Sequence, residues 1–349
     1  MTEQYNNCNI TYQKPVDDTA WDQFLSQNNQ ACFYQLSGWL KVCHDHFGHP
    51  VFYLRAEQAG EIIGVFPLVL MKSKLFGTFL NSMPFINFAG PCAVNQHVEQ
   101  MLLEQAIEIA KQHNVDHLEI RATKVIDKDL PTTDHKVSMT LELNDNHETL
   151  WSNFASKHRT NIRRAYKNGL HTKVGGEEYL NDFYHILAQS WKTLGTPIYK
   201  KAYFKDIFAK FGDAVKIFIC YQNEKPIAAA FNGYYKDTVE GMWAGSIPEA
   251  RKLQYSYVLY WDMIKHACEN NYKHYHLGRS SVQSGGEQFK KKWNAHQTQL
   301  YWQYYLNKAT DVPQLNVNNP KFQLAINTWR KLPLWATTTI GPWVAKYIP

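Results

Sequence analysis

Apolar and polar positions alternate between two periods along this chain, and the alternation runs through twice. Asp18–Asn28 and Ser37–His46 carry apolar residues at helical spacing, and Val51–Ala56 and Glu61–Met71 read as strands around the turn Gln58-Ala59-Gly60. Val98–Asn114 is a helix whose Met101, Leu102, Gln105, Ile109 and Ala110 lie near one face, followed by strands at His117–Ala122 and Val137–Leu143. His147–Gly169 reads as one long basic helix, with Gly169 as its natural stop.

The pattern then begins again. Helices are expected at Tyr179–Gly195 and Ala202–Gly212, and strands at Ala214–Tyr221, Ile227–Tyr235 and Thr238–Ser246. A helix at Tyr257–Asn271 leads to a strand at His274–Leu277, a short helix at Phe289–His296 and a last strand at Gln299–Leu306. Pro320–Lys331 is helical and runs into an aromatic tail. Lys111–Arg121 (KQHNVDHLEIR) and Glu269–Arg279 (ENNYKHYHLGR) are alike, at an offset of 279 − 121 = 158 residues. The turn-entered strands at Glu61 and Lys225 stand 225 − 61 = 164 apart. The expectation is a duplicated α/β domain of about 150 residues: 1–146, then 147–310, then a helix and aromatic tail over 311–349.

Composition narrows the class. Hydrophobic residues make up 44% of the 349 and charged residues 19%, a globular balance. The net charge, 37 − 31 = +6, suits an anionic ligand or a membrane surface and gives no reason to expect DNA. Six scattered cysteines without a CxxC fit reduced cytosolic thiols. The polar start MTEQYNNCNI has no apolar core, so no signal peptide is expected. The apolar stretch from Gly64 to Val94 is broken by Lys72, Pro84 and Pro91, so no spanning helix is expected and the protein is placed in the cytoplasm, peripheral at most. His44, His46 and His49 beside Asp45 do not complete a convincing ligand set, and no metal is expected.

Chemistry concentrates in Tyr275–Trp293, YHLGRSSVQSGGEQFKKKW. A strand end, a Gly/Ser loop and a helix start present free backbone N–H groups to an anion, with Arg279, Lys290, Lys291 and Lys292 close by. A surface loop with solvated lysines is the equally weighted alternative. A second basic element, Lys157–Lys167, places Arg159, Arg163 and Lys167 on one helical face, suited to a pyrophosphate, tRNA or anionic lipid, or simply to solvent. Trp191, Tyr199 and Tyr203 suit an acceptor pocket or the core; His274 and His276 read as satisfied strand histidines. The tail, with Trp329, Trp335, Trp343, Tyr347, Arg330, Lys331 and Lys346, has interfacial composition, though packing across the domains is the favoured account.

Gly278-Arg279-Ser280, a glycine loop and Phe289-Lys290…Trp293 together resemble the FemAB-like acyltransferases, which are built from GNAT-type domains. Pro84-Phe85-Ile86-Asn87-Phe88-Ala89-Gly90-Pro91, Leu194-Gly195-Thr196-Pro197, Asp237-Thr238-Val239, Pro248-Glu249-Ala250-Arg251, Asn318-Asn319-Pro320-Lys321, Trp329–Leu334 and Gly341-Pro342 are similar to the subgroup associated with exosortase/PEP-CTERM exopolysaccharide loci. The resemblance implies two tandem GNAT-like domains with mixed central sheets flanked by helices. It also implies an acyl or aminoacyl transfer onto an amine of an extracellular polysaccharide or cell-envelope precursor. Phe289 and Lys290 fall on its FK motif at the active site, which is expected at the domain junction. Arg279, Ser280, Ser281, Gly285, Gly286 and Lys291 would hold the donor, acyl-CoA or aminoacyl-tRNA, with no tightly bound cofactor. Arg159, Arg163, Lys167, Trp191 and Tyr199 would face an amine-bearing sugar, lipid-linked or peptide acceptor. Lys290 is the candidate for stabilising the tetrahedral oxyanion or holding a phosphate; no general base stands out. Relatives carry Lys after GRS, a GTG-like loop and Gly after the tryptophan, where this chain has Ser281, Ser284-Gly285-Gly286 and Asn294. Those departures favour the alternative, a catalytically degenerate binding or scaffold protein.

Overall fold

The computed structural model describes residues 8–12, 18–73, 76–313 and 320–348. The polar start MTEQYNN and Asn318-Asn319 of the late motif lie outside the described residues. The chain forms two compact units, one of residues 1–136, 299–314 and 347–349, the other of residues 137–298 and 315–346.

In chain order the first unit contains β1 (Asn9–Thr11), α1 (Thr19–Gln27), α2 (Ser37–Phe47), β2 (Val51–Gln58), β3 (Glu61–Ser73), β4 (Gly77–Asn81), β5 (Cys92–Ala93), α3 (Gln96–Gln112) and β6 (His117–Ala122). β7 (Thr132–Glu142) carries the chain into the second unit. There follow α4 (His147–Asn153), α5 (Ser156–Tyr166), β8 (Leu170–Gly175), α6 (Leu180–Leu194), α7 (Lys201–Phe211), β9 (Val215–Gln222), β10 (Lys225–Tyr235), β11 (Thr238–Ser246), α8 (Tyr255–Glu269), β12 (His274–Ser281) and α9 (Gly285–Lys291). β13 (His296–Leu306) returns to the first unit, and α10 (Pro320–Lys331) and α11 (Leu334–Ala345) belong to the second.

Each unit repeats one plan. In the first, β2, β3 and β4 are antiparallel, and α3 crosses over to bring β6 parallel to β4, Leu80 opposite Leu118. In the second, β9, β10 and β11 are antiparallel, and α8 brings β12 parallel to β11, Val239 opposite Tyr275. Parallel neighbours need such a crossover, and the amphipathic helix supplies the layer that buries the sheet. α3 packs Val98, Leu102, Ala106 and Ile109 onto Leu68, Leu80, Leu118 and Ile120. α8 packs Val258, Leu259, Ile264 and Cys268 onto Phe218, Ala228, Val239 and Tyr275. The duplication expected from the two look-alike stretches is therefore present as topology.

Three local expectations are corrected. The long basic helix is two helices, because Phe154 leaves helical geometry (ψ 146°) to bury its ring against Trp261 and Trp293. The strand expected to stop at Leu277 runs on through Gly278-Arg279-Ser280-Ser281, and the helix after it spans Gly285–Lys291. The aromatic tail is a helix, α11, whose buried side is made of small residues.

Candidate active site at the parting of two strands

The site grows from one rung. β11 and β12 are paired at Thr238/His274, Val239/Tyr275 and Glu240/His276; beyond that rung the two strands run on, to Ser246 and Ser281, without further pairing to each other, while β11 stays paired with β10. Two glycines face each other where they part. A Cβ on Gly241 would sit 2.9 Å from the carbonyl oxygen of His276, and one on Gly278 (φ +81°) would sit 2.8 Å from that of Gly241. No side chain fits at either position. In the same stretch β11 bulges, with Met242 inserted between the pairs Phe231/Trp243 and Asn232/Gly241. β11 has neighbours on both sides, yet Met242 and Trp243 are half-buried and Ala244 is exposed. The gap between the strands is open.

The first unit closes the equivalent gap. Past the rung Asn81/Glu119, Ser82 N–H donates to the Glu119 carbonyl (2.9 Å), Arg121 N–H to Ser82 Oγ (2.8 Å) and Ala89 N–H to the Arg121 carbonyl (3.1 Å). A buried ion pair, Arg121 Nε to Glu119 Oε1 at 2.6 Å, fills what remains. Asn81 donates to the same carboxylate, and Trp302 stacks under the guanidinium at 4.4 Å.

In the second unit Lys290 is buried on α9, and its Nζ donates to the carbonyls of Gly278 (2.7 Å) and Arg279 (3.2 Å), beyond the last rung. Burial, with the Arg279 charge added, pushes its pKa down to about 8. On β11 the buried Glu240 accepts from His276 Nδ1 at 2.8 Å, and its second oxygen is buried without a partner among the described residues. Burial works against the imidazolium, but the Glu240 carboxylate, aided by Glu142 and Asp237, outweighs it and holds His276 above the ordinary histidine pKa. His274 pairs separately, with Glu142 at 2.8 Å and Asp237 at 3.8 Å.

Other expected site residues separate into groups. Arg279 and the buried Ser280 stand on β12 beside Lys290, and a Cβ on Gly286 would lie 3.6 Å from Ser280 Oγ. Ser281 and Gly285 are exposed. The anion seat at the start of α9 is taken by the chain itself: Ser284 Oγ accepts from Glu287 N–H, and the Glu287 carboxylate accepts from Gln283 N–H and pairs with Lys291 at 2.6 Å. Phe289 packs edge-on to Tyr257 and Tyr260 rather than facing open space. On α5, Arg159 donates to the Ser152 carbonyl, Arg163 lies over the Trp151 ring and Lys167 is exposed. Trp191 and Tyr199 join a run of ring contacts, Trp191–Tyr199–Tyr203–Trp243, that ends on the open stretch of β11.

The sequence reading missed two features. The Glu240–His276 pair left a faint trace, a histidine alternation opposite a lone acidic strand residue. The second is the N-terminus of α8, entered through Gln254 at φ +58° with no side-chain cap; Gln254 Oε1 is buried without a partner among the described residues, and Arg251 and Lys252 are exposed just before it. Among the described residues, no group of three or more His, Cys, Asp or Glu is placed to hold a metal.

Residues 156–291 match the acetyltransferase (GNAT) domain family, a segment that holds β11, α8, β12 and Lys290. FemX is similar in structure over 91% of this chain and 100% of its own, with a TM-score of 0.66 and 16% identity. So is a tandem GNAT protein from the clavulanic acid biosynthesis pathway, over 87% and 100%, with a TM-score of 0.55 and 10% identity. The fold is two tandem GNAT-like domains. L-PGS from Bacillus licheniformis shares it at 13% identity, covering 91% of this chain and 100% of its own, TM-score 0.56. No curated protein matches the sequence. The open gap thus lies in the GNAT-like domain that matches the family, and the closed one in its duplicate.

Proposed function

We propose that the protein is an N-acyltransferase whose second GNAT-like domain holds an acyl thioester in the gap between β11 and β12. The observation that carries this reading is the end of pairing at Glu240/His276 with Gly241–Ala244 left accessible inside a sheet. Backbone N–H groups where the two strands part are the kind of donor suited to the carbonyl oxygen, which becomes an oxyanion when an amine attacks. The uncapped start of α8, with Arg251 and Lys252, suits the donor's phosphates, so acyl-CoA is the proposed donor. An aminoacyl-tRNA is the other donor that the FemAB resemblance allows.

The amine nitrogen bonds to the acyl carbon, the carbon–sulfur bond breaks, and the sulfur leaves as thiolate. The proton lost by the amine passes to the imidazole of His276, which Glu240 holds through Nδ1. Lys290 braces the end of β12 through two carbonyls, and Arg279 and Ser280 flank it. The run from Trp191 and Tyr199 to Trp243 supports an acceptor wall suited to an amine-bearing sugar or peptide. The motifs between Leu194 and Pro342 support an exopolysaccharide or cell-envelope precursor as that acceptor.

One observation favours a second reading, a binding protein without turnover: the Lys290 ammonium is already spent on backbone carbonyls. Incubation with acetyl-CoA and a panel of amino sugars and lipid-linked amines, read by mass spectrometry, separates the two. An acylated product with release of free CoA supports the transferase. CoA binding without product on any acceptor supports the binding protein.

A further inference from the structure

α10 and α11 are held against the end of α6 at two close approaches. A Cβ on Gly195 would lie 2.5 Å from the Ile326 side chain, and one on Gly341 would lie 3.1 Å from the backbone of Ile198. α11 turns Ala336, Thr337, Gly341 and Ala345 inward. Its other side is left uncovered by the described residues, with Trp335 72% and Trp343 65% exposed, eight residues apart and so on one helical face. Leu324 on α10 (70%) and Leu194 at the end of α6 (55%) are exposed as well. Large side chains this exposed mark an interaction surface.

The segments that carry this patch are basic in sequence, although Lys205 pairs with Glu177 at 3.7 Å. From Val312 to Pro349 the sequence has Lys321, Arg330, Lys331 and Lys346 and no Asp or Glu; from Phe183 to Lys205 it again has only basic charges, Lys192, Lys200, Lys201 and Lys205. Lys200 and Lys346 place their ammonium groups over the Trp343 ring, 5.4 and 5.5 Å from its centroid. Tryptophan flanked by lysine matches the boundary of an anionic bilayer, where indoles sit at headgroup depth and ammonium groups meet lipid phosphates. A second copy of this chain would bring the same positive charge to the contact. No described helix is long and apolar enough to cross a membrane. We propose that the outer face of α10 and α11, with the end of α6, docks the protein peripherally on an anionic lipid surface. This inference stands apart from the acyl transfer and survives or fails without it.

Flotation of the full chain with phosphatidylcholine vesicles, with and without added phosphatidylglycerol, tests it. The protein should float with the anionic vesicles, and less so as salt rises. The pair Trp335→Ser, Trp343→Ser should weaken binding about tenfold or more with no change in thermal unfolding. A second pair, Lys200→Gln, Lys346→Gln, should remove the preference for anionic lipid. Absence of flotation at low salt, or equal flotation of wild type and the tryptophan pair, would overturn the proposal. A dimer that dissociates on the tryptophan substitutions, without vesicle binding, would give the face to a second copy.

Discussion

The carboxylate of Glu240 meets Nδ1 of His276 at 2.8 Å on the last rung that joins β11 to β12. That contact holds the imidazole in place, and Glu240, Glu142 and Asp237 raise its proton affinity against the effect of burial. His276→Gln should lower turnover by on the order of 10²-fold if the ring takes the amine's proton. The neutral ring is the active form, so activity should rise with pH through an inflection above the ordinary histidine value. Glu240→Gln should move that inflection to lower pH. A pH profile of the transfer rate reads both.

Lys290 gives a second, independent prediction. Its pKa falls to about 8 in the folded chain, so between that value and the unfolded value the unfolded state binds more protons and stability rises with pH. Relative to Lys290→Met, the wild type should gain up to roughly 3 kcal/mol as pH rises from 7 to 10. Denaturant unfolding of both proteins at the two pH values measures the difference, free of contributions from other titrating groups.

His158 makes the opposite end of the pH range informative. It is enclosed by Phe154, Tyr257 and Trp293, neither ring nitrogen has a partner among the described residues, and burial, with Lys292 nearby, lowers its pKa to about 4. Below the ordinary histidine value the unfolded chain takes up a proton that the folded chain refuses, so stability is lost as pH falls toward 4. His158→Phe should keep the ring contacts and reduce acid lability, by up to roughly 3 kcal/mol at pH 4. Thermal unfolding across pH 4 to 7 would show it.

Arg121 tests the closed gap of the first domain. Arg121→Leu leaves the Glu119 carboxylate buried with the Asn81 amide and the Tyr304 hydroxyl but without its counter-charge, and should cost about 3–5 kcal/mol of stability. The double variant with Glu119→Leu should recover most of that loss, since both charges are then gone.

Much of the duplication was legible because α3 and α8 each present an apolar face, and Arg121 and Arg279 end the look-alike sequence stretches inside β6 and β12. The split between α4 and α5 was not, because it depends on where Phe154 buries its ring, a tertiary fact. The buried charge on Lys290 could be placed in a loop–helix motif but not aimed, since its acceptors are backbone carbonyls with no signature. Glu240 and His276 lie 36 residues apart and meet only through the parallel register that α8 imposes. Helix periodicity could not show which side of α11 stays uncovered either, because Trp335 and Ala336 are adjacent and point apart.

Calorimetric titration of acetyl-CoA into the wild type and an Ala244→Trp variant tests the central claim most directly. Ala244 is exposed where β11 has left β12, so a tryptophan there sets a bulky ring beside the proposed thioester site without disturbing a core. The account predicts one site per chain in the wild type and none in the variant. No binding, two sites per chain, or equal binding by both proteins would contradict it.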